Sequence, residues 1–162
     1  MIDRVAEPSE TTAASPLRAA GLDDLTELMR LAREFYDEDG FTTSDAELDR
    51  NFRVLLADRS SARICLALDN GSGIGFALTT CRVVLESGVV AELQDLYVMP
   101  AHRRRGIGTL LIDDAIGWAK AQQASSLELV VAPNGRDVSE LLSYYGAQGF
   151  LDEGRRLLNL TL

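Results

Sequence analysis

The chain has 162 residues, of which 46% are hydrophobic and 25% charged, and its formal net charge is -9 at pH 7. These values fit one globular domain with a sizeable core, and no apolar run is long enough to span a bilayer. The acidic balance argues against a general nucleic-acid-binding protein, which would carry a broad basic patch. The N-terminus lacks a basic region followed by an apolar run, so we expect no secretory signal and a cytoplasmic location.

The first part of the chain predicts a tail, a short strand and two helices. Residues 1–15 are polar and rich in Ser, Thr, Glu and Ala, which is typical of a flexible tail, and we expect a single domain over 16–162. "SPLRAA" predicts the strand. Apolar residues at helical spacing then predict a helix that ends at Gly40. Ser44 and Glu47 form a capping-box pattern that predicts the start of a second helix.

The remainder predicts a meander followed by alternating helices and strands. Three strand-like runs, "ARICLALD", "GIGFALTTCRVV" and "GVVAELQDLYVMP", are joined by short turns, which indicates antiparallel pairing. "GIGTLLIDDAIGWAKAQQ" and "DVSELLSYYGAQG" predict helices, "SLELVVA" predicts a strand buried on both faces, and "RRLLNLTL" predicts a closing strand. The order β-α-α-β-β-β-α-β-α-β corresponds to an α/β fold whose mixed sheet carries helices on both faces.

An arginine-glycine segment, "HRRRGIGTLL", lies between a strand ending at Val98 and a helix beginning near Ile107. Backbone N–H groups at a helix start lack intrahelical partners, and glycines let a ligand approach the backbone closely. With three arginines beside it, this turn predicts a cradle for a phosphorylated ligand. A solvated basic loop is the alternative interpretation. The P-loop pattern is absent, and Leu111 occupies the third glycine position of a dinucleotide fingerprint.

The same segment resembles a known family. "RRRGIG" matches the Arg/Gln-x-x-Gly-x-Gly/Ala signature of the GNAT superfamily of N-acetyltransferases, "LQDLYVMPAH" resembles the strand and loop before it, and "YYGAQGF" resembles a later family segment. The resemblance covers about residues 17–162 and implies a GNAT-like, mostly antiparallel sheet with acetyl-CoA as cosubstrate. It implies cofactor contacts from the strand and the turn, namely Leu96, Tyr97, Val98, Arg103, Arg104, Arg105, Gly106, Ile107, Gly108 and Thr109.

Acetyl transfer to an amine requires that an ammonium lose a proton and that a departing thiolate gain one. The resemblance implies Tyr145 as the general acid, whereas Tyr144, about 100° around the helix, is expected to face elsewhere. It implies Glu92 as the base, with Asp95 and a water relay as alternatives. Strand alternation puts these two carboxylates on opposite faces unless a bulge intervenes. The purely structural interpretation is that both tyrosines are packing residues and that the two carboxylates are ordinary solvated or salt-bridged strand acids.

Two further segments complete the predicted site. The family often has an asparagine where this chain has Val138, so Asn134, further back, becomes the candidate cofactor contact. An acid-aromatic stretch at the end of the first helix suits a cationic amine and supplies the candidate acceptor residues Phe35, Tyr36, Asp37, Glu38 and Asp39. A solvated helix end is the alternative. No grouping of His or Cys residues indicates a metal site.

The resemblance therefore implies an acetyl-CoA-dependent N-acetyltransferase that transfers the acetyl group directly to a primary amine. The motif carries no information on the acceptor, so the amine of a small molecule and that of a protein both stay open as acceptors. A noncatalytic acyl-CoA-binding sensor or regulatory module is the alternative, and Tyr145 argues against it. We expect no nucleic-acid or membrane partner, and the sequence leaves a homodimer open.

Overall fold

The computed structural model describes residues 16–132 and 136–161. The predicted tail, 1–15, lies outside them. The described elements follow in chain order as β1 (Leu17–Ala19), α1 (Leu25–Asp39), α2 (Asp45–Ala57), β2 (Ala62–Asp69), β3 (Ser72–Val84), β4 (Gly88–Val98), α3 (Ile107–Ala121), β5 (Ser126–Glu128) and α4 (Ser139–Ala147). Short 3-10 turns at Leu22–Asp24 and Pro100–His102 precede α1 and follow β4.

The five strands form one sheet in the order β1-β2-β3-β4-β5. The first four strands pair antiparallel, and β4 pairs with β5 in parallel. The predicted meander is therefore confirmed, and so is the mixed, mostly antiparallel sheet. The parallel pair follows from the crossover through α3, which returns the chain to the same end of the sheet.

Helices cover both faces of the sheet, as the sequence predicts. Leu28 of α1 and Phe52 of α2 pack on Phe76 and form the core of what we call the α1 face. Leu111 of α3 belongs to the cluster on the opposite side, the α3 face. Burying each such side chain fully stabilises the fold by about 1.5–3 kcal/mol. None of the helices in the described ranges has the length and hydropathy that a membrane crossing requires.

The helix ends that position the site agree with the capping signals. Ser44 Oγ accepts from the Glu47 amide at 3.4 Å, and Glu47 Oε2 accepts from the Ser44 amide at 2.9 Å. An N-cap of this kind contributes about 1 kcal/mol. Gly40 ends α1 with a φ of 79°, in the left-handed region that glycine adopts without steric cost. These caps fix where the segment between α1 and α2 begins and ends.

Two strand predictions near the C-terminus are wrong. β5 pairs only over Ser126–Glu128 and is not buried on both faces, since the Val130 side chain that follows is 54% exposed. Residues 155–161, the described part of the predicted closing strand, contain no strand, and Leu158 is 90% exposed. An apolar pattern gives a strand tendency, but a strand also needs a neighbour for its hydrogen bonds. Within the described residues, this segment contacts β5 through the ion pair between Arg155 and Glu128, at 2.6 Å.

Candidate functional site

A β-bulge in β4 decides where its carboxylates lie. The pairing with β3 passes from Leu78–Asp95 to Thr79–Leu93, so Gln94 is the extra residue. Leu93 packs in the cluster on the α3 face, and Tyr97 packs in the cluster on the α1 face. Alternation on each side of the bulge therefore places Glu92 and Asp95 together on the α1 face. The sequence left this outcome open, because it depends on the register with β3.

Beyond the bulge, β4 and β5 separate. Their parallel pairing joins Val90–Glu92 to Ser126–Glu128 and extends no further in the described residues. The rest of β4 therefore has an edge without a neighbouring strand in the described residues, which we call the open edge of β4, and Leu96 and Val98 lie on its α3 face. The resemblance implies this kind of splayed strand as the site of the pantetheine arm.

The arginine-glycine turn follows β4 and leads into α3. Arg104 and Gly106 both have a left-handed backbone, with φ values of 60° and 80°. In the described part of the chain, the backbone N–H groups of residues 104–109 make no hydrogen bond. Successive unpaired N–H groups at a helix start carry partial positive charge and can bind phosphate oxygens. The turn thus has the donor set that a pyrophosphate group requires.

The two glycines of the turn are constrained for different reasons. Gly106 needs its left-handed φ, and a Cβ there would meet open space. A Cβ at Gly108 would lie 2.7 Å from Tyr144 Oη, so this glycine makes room for a side chain of α4. Gln148 also reaches the turn, because its Nε2 donates to Thr109 Oγ1 at 3.4 Å. The last turns of α4 therefore sit against the first turn of α3.

The three arginines of the turn have different surroundings. Arg103 donates two hydrogen bonds to Glu38 of α1, at 2.8 and 2.6 Å, and its Nε donates to the Val98 carbonyl at 2.8 Å. Arg105 Nη1 lies 3.1 Å from His102 Nδ1. Arg104 makes no ion pair within the described residues. The Arg103 guanidinium is thus directed towards the C-terminal end of α1.

Both tyrosines of α4 pack on the α3 face. Their ring centroids lie 5.4 Å apart, and the Tyr145 ring meets Phe150 edge-on at 5.7 Å. The expectation that Tyr144 faces elsewhere is therefore wrong, because two large neighbouring rings both reach the same cluster. Burial, with a contribution from Tyr144, raises the pKa of Tyr145 to about 12. Its phenol is protonated at neutral pH, as a proton donor must be.

The two candidate bases have different environments. Glu92 Oε2 accepts a hydrogen bond at 3.0 Å from Arg82, which also binds Glu128 at 2.7 Å. Asp95 makes no hydrogen bond within the described residues, and burial together with the charge of Asp39 raises its pKa to about 6. Burial and the charge of Asp95 in turn raise the pKa of Tyr36 to about 12. The Asp95 carboxylate therefore lies within electrostatic range of two residues at the end of α1.

The predicted acceptor residues divide into core, anchoring and exposed groups. Phe35 stacks on Tyr97 with centroids 5.4 Å apart and belongs to the core of the α1 face. Glu38 pairs with Arg103, and Asp39 pairs with Arg136 at 2.7 Å. Asp37 is exposed and has no ion pair in the part of the chain that the structure describes.

Two side chains at the site were not predicted to be there. Tyr144, which we expected to face elsewhere, and Arg136, which carried no signal in the sequence, reach it through contacts with residues far away in the chain. Asn134, the predicted cofactor contact, lies outside the described residues. The remaining predicted residues occupy β4, the turn that follows it, the first turn of α3, the end of α1 and, for Tyr145, α4.

Comparison with known proteins identifies the family. The model of the acetyltransferase (GNAT) family matches residues 25–150, and the chain belongs to this family, whose members use acetyl-CoA. An uncharacterized N-acetyltransferase of Archaeoglobus fulgidus is 29% identical over 136 residues, which cover 82% of this chain and 90% of that protein. A second, from Methanocaldococcus jannaschii, is 36% identical over 83 residues, which are 50% of this chain and 35% of that protein. The chain thus spans about a third of that relative's length.

Solved structures confirm the GNAT fold. An integron cassette protein from the mobile metagenome of Cole Harbour Salt Marsh has a TM-score of 0.78 and 27% identity, with coverage of 91% of this chain and 90% of that one. The aminoglycoside N-acetyltransferase AAC(6')-Iy, crystallised with CoA, has a TM-score of 0.77 and 19% identity, with coverage of 90% of this chain and 93% of that one.

A further sequence relative is the Klebsiella aerogenes aminoglycoside N(6')-acetyltransferase type 1. It is 36% identical over 67 residues, which are 40% of this chain and 44% of that protein.

Proposed function

We propose that this protein is an acetyl-CoA-dependent N-acetyltransferase that acetylates a primary amine of a cationic small molecule. The observation that carries the proposal is the β4 bulge, which puts the Asp95 carboxylate on the α1 face of a strand that has separated from β5 and that leads into the N–H-lined turn. Relatives named as aminoglycoside acetyltransferases support a small-molecule amine as acceptor.

The proposed binding of acetyl-CoA rests on the arginine-glycine turn and on the open edge of β4. The unpaired N–H groups of residues 104–109 fit a pyrophosphate, and the open edge of β4 over Leu96, Tyr97 and Val98 fits an amide-containing arm. When bound, acetyl-CoA supplies a thioester whose carbonyl carbon an amine can attack. The chain's own contribution is to hold the ligand along β4 and to manage the two protons of the transfer.

Asp95 is our proposed base. Deprotonating an ammonium with a pKa of about 10.4 at pH 7 costs about 4.6 kcal/mol of free energy. A positioned proton acceptor therefore lowers the barrier to attack by the amine. Raising the pKa of Asp95 from 3.8 to about 6 makes it a stronger base by about 3 kcal/mol. Glu92 remains the prediction drawn from the resemblance, but its carboxylate already accepts from Arg82. Water can carry the proton from the amine to either carboxylate.

Tyr145 is our proposed acid. Direct transfer forms the amide C–N bond and breaks the thioester C–S bond, and the sulfur leaves as a thiolate. The carboxylate receives one proton from the ammonium before attack, and the nitrogen loses a second proton to solvent as the amide forms. The Tyr145 hydroxyl donates its proton to the departing sulfur and regains one from solvent, while the carboxylic acid releases its proton to solvent. The overall products are an amide, a free thiol and one proton. The protonated phenol of Tyr145 and its place on the α3 face support this role.

An amine screen tests the proposed function. Purified protein is supplied with acetyl-CoA and with aminoglycosides, polyamines, amino acids and a lysine peptide, and free thiol release is measured. We expect thiol release above the acceptor-free rate with a small polycationic amine. Asp95→Asn and Tyr145→Phe should abolish the increase, whereas the matched variants Glu92→Gln and Tyr144→Phe should keep most of it. Acetyl-CoA binding without turnover on any amine would instead favour the acyl-CoA sensor.

A further inference from the structure

The C-terminal end of α1 is held by two arginines, one from the turn after β4 and one from the segment before α4. Arg103 comes from the turn between β4 and α3 and binds Glu38, 65 residues away in sequence. Arg136 precedes α4 and binds Asp39, 97 residues away. Both acids lie in the last turn of α1, which also carries Tyr36. This helix end is therefore tied to both loops that flank the predicted cofactor site.

All three nitrogen atoms of the Arg103 guanidinium donate hydrogen bonds. Its two terminal nitrogens bind the two carboxylate oxygens of Glu38, its Nε binds the Val98 carbonyl, and its guanidinium lies 5.7 Å from the ring centre of Tyr97. A bidentate pair of this kind fixes orientation as well as distance. The Arg103 hydrogen bonds also lower the pKa of Glu38, so the pair is ionised at neutral pH.

We infer that Arg103 is a positioning residue for the acceptor side of the site and not a phosphate ligand. With Arg136, it fixes the last turn of α1, which carries Tyr36 and Asp39, relative to β4 and the turn that follows it. Glu38 and Asp39 then anchor the helix and do not attract the amine. The inference rests on the proposed function for its meaning in catalysis, but the contacts themselves are independent of the acceptor.

Three variants test the anchor: Arg103→Gln, Glu38→Gln and the double variant. Asp37→Asn is the matched control, because it neutralises the neighbouring exposed carboxylate, which has no ion pair in the described chain. Hydrogen exchange is followed at the Phe41 amide, which donates to the Tyr36 carbonyl at 2.9 Å and closes α1. Calorimetry gives the Kd of acetyl-CoA.

Exchange at Phe41 should accelerate equally in Arg103→Gln and Glu38→Gln, no further in the double variant, and not in Asp37→Asn. The Kd of acetyl-CoA should stay within about twofold in all of them. With the best amine of the screen, KM should rise about twofold to fivefold in both single variants, the range expected for an exposed ion pair. A kcat that stays constant would distinguish this KM effect from general damage.

Two results would overturn the inference. If Arg103→Gln weakens acetyl-CoA binding tenfold or more while Glu38→Gln does not, Arg103 is a cofactor ligand. If Asp37→Asn accelerates exchange as much as Glu38→Gln, the effect is one of helix-end charge and not of the Arg103 contact. Both measurements need no acceptor. Failure of the amine screen with an intact anchor would therefore count against the proposed function alone.

Discussion

Replacing Asp95 by asparagine should make the protein more stable and less active. Burial and the charge of Asp39 raise the pKa of Asp95 from 3.8 to about 6, so the folded state binds more protons than the unfolded state between these values. Stability therefore falls as pH rises from about 4 to 6 and then levels off. A shift of about two pKa units corresponds to at most about 3 kcal/mol at pH 7. Asparagine removes the titrating charge and with it this cost.

The assay is urea unfolding of both proteins at several pH values from 4 to 8. Asp95→Asn should exceed the wild type by at most about 3 kcal/mol at pH 7, with the difference vanishing near pH 4. Turnover should fall at least about 100-fold if Asp95 is the base. Glu92→Gln serves as a control, because it neutralises the other candidate carboxylate of β4, which is paired with Arg82 at 3.0 Å. A wild type whose stability parallels that of Asp95→Asn from pH 4 to 7 would refute the reasoning.

Three further predictions concern the turn and α4. Tyr145→Phe should lower kcat about 100-fold or more and nearly keep acetyl-CoA affinity, whereas Tyr144→Phe should change kcat much less; equal losses would contradict the acid assignment. Gly106→Val should weaken acetyl-CoA binding in calorimetry, because a branched side chain disfavours the left-handed φ of 80°. Gly108→Ala should lower the Tm, and Tyr144→Phe should restore it by removing the Oη that the new Cβ would meet at 2.7 Å. A double variant no more stable than Gly108→Ala would show that another contact constrains this glycine.

Local signals predicted most of the fold. The capping box at Ser44 and Glu47 and the glycine at the end of α1 depend on residues within a few positions of each other, and the structure reproduces them. The β2 segment, Ala62–Asp69, matches the predicted run because a short, mostly apolar stretch and the turn signal after it lie close together in the chain. The closing strand failed for the opposite reason, since a strand exists only where a partner strand lies beside it.

The site was less predictable because its decisive contacts are distant in sequence. Composition and spacing predicted the arginine-glycine turn. They did not predict the partner of Arg103, which lies 65 residues earlier in the chain, on a different element. The side chain above Gly108 comes from α4, and no pattern around either residue indicates that they meet. The positions of Glu92 and Asp95 on one face required knowledge of the pairing between β3 and β4.

The single extra residue in β4 has a consequence for how this strand can change. Gln94 is the position at which β4 has one residue more than β3, so deleting it would restore regular pairing and leave Asp95 and every later residue on its present face. Regular pairing with Gln94 retained would instead invert the rest of the strand. Asp95 and Tyr97 would turn towards α3, and Leu96 and Val98 towards α1. Polar groups would then meet one apolar core, and the other would lose its aromatic ring. The bulge therefore encodes which face carries the chemistry, and the residues on both sides of it keep their faces only while the extra residue stays out of the pairing.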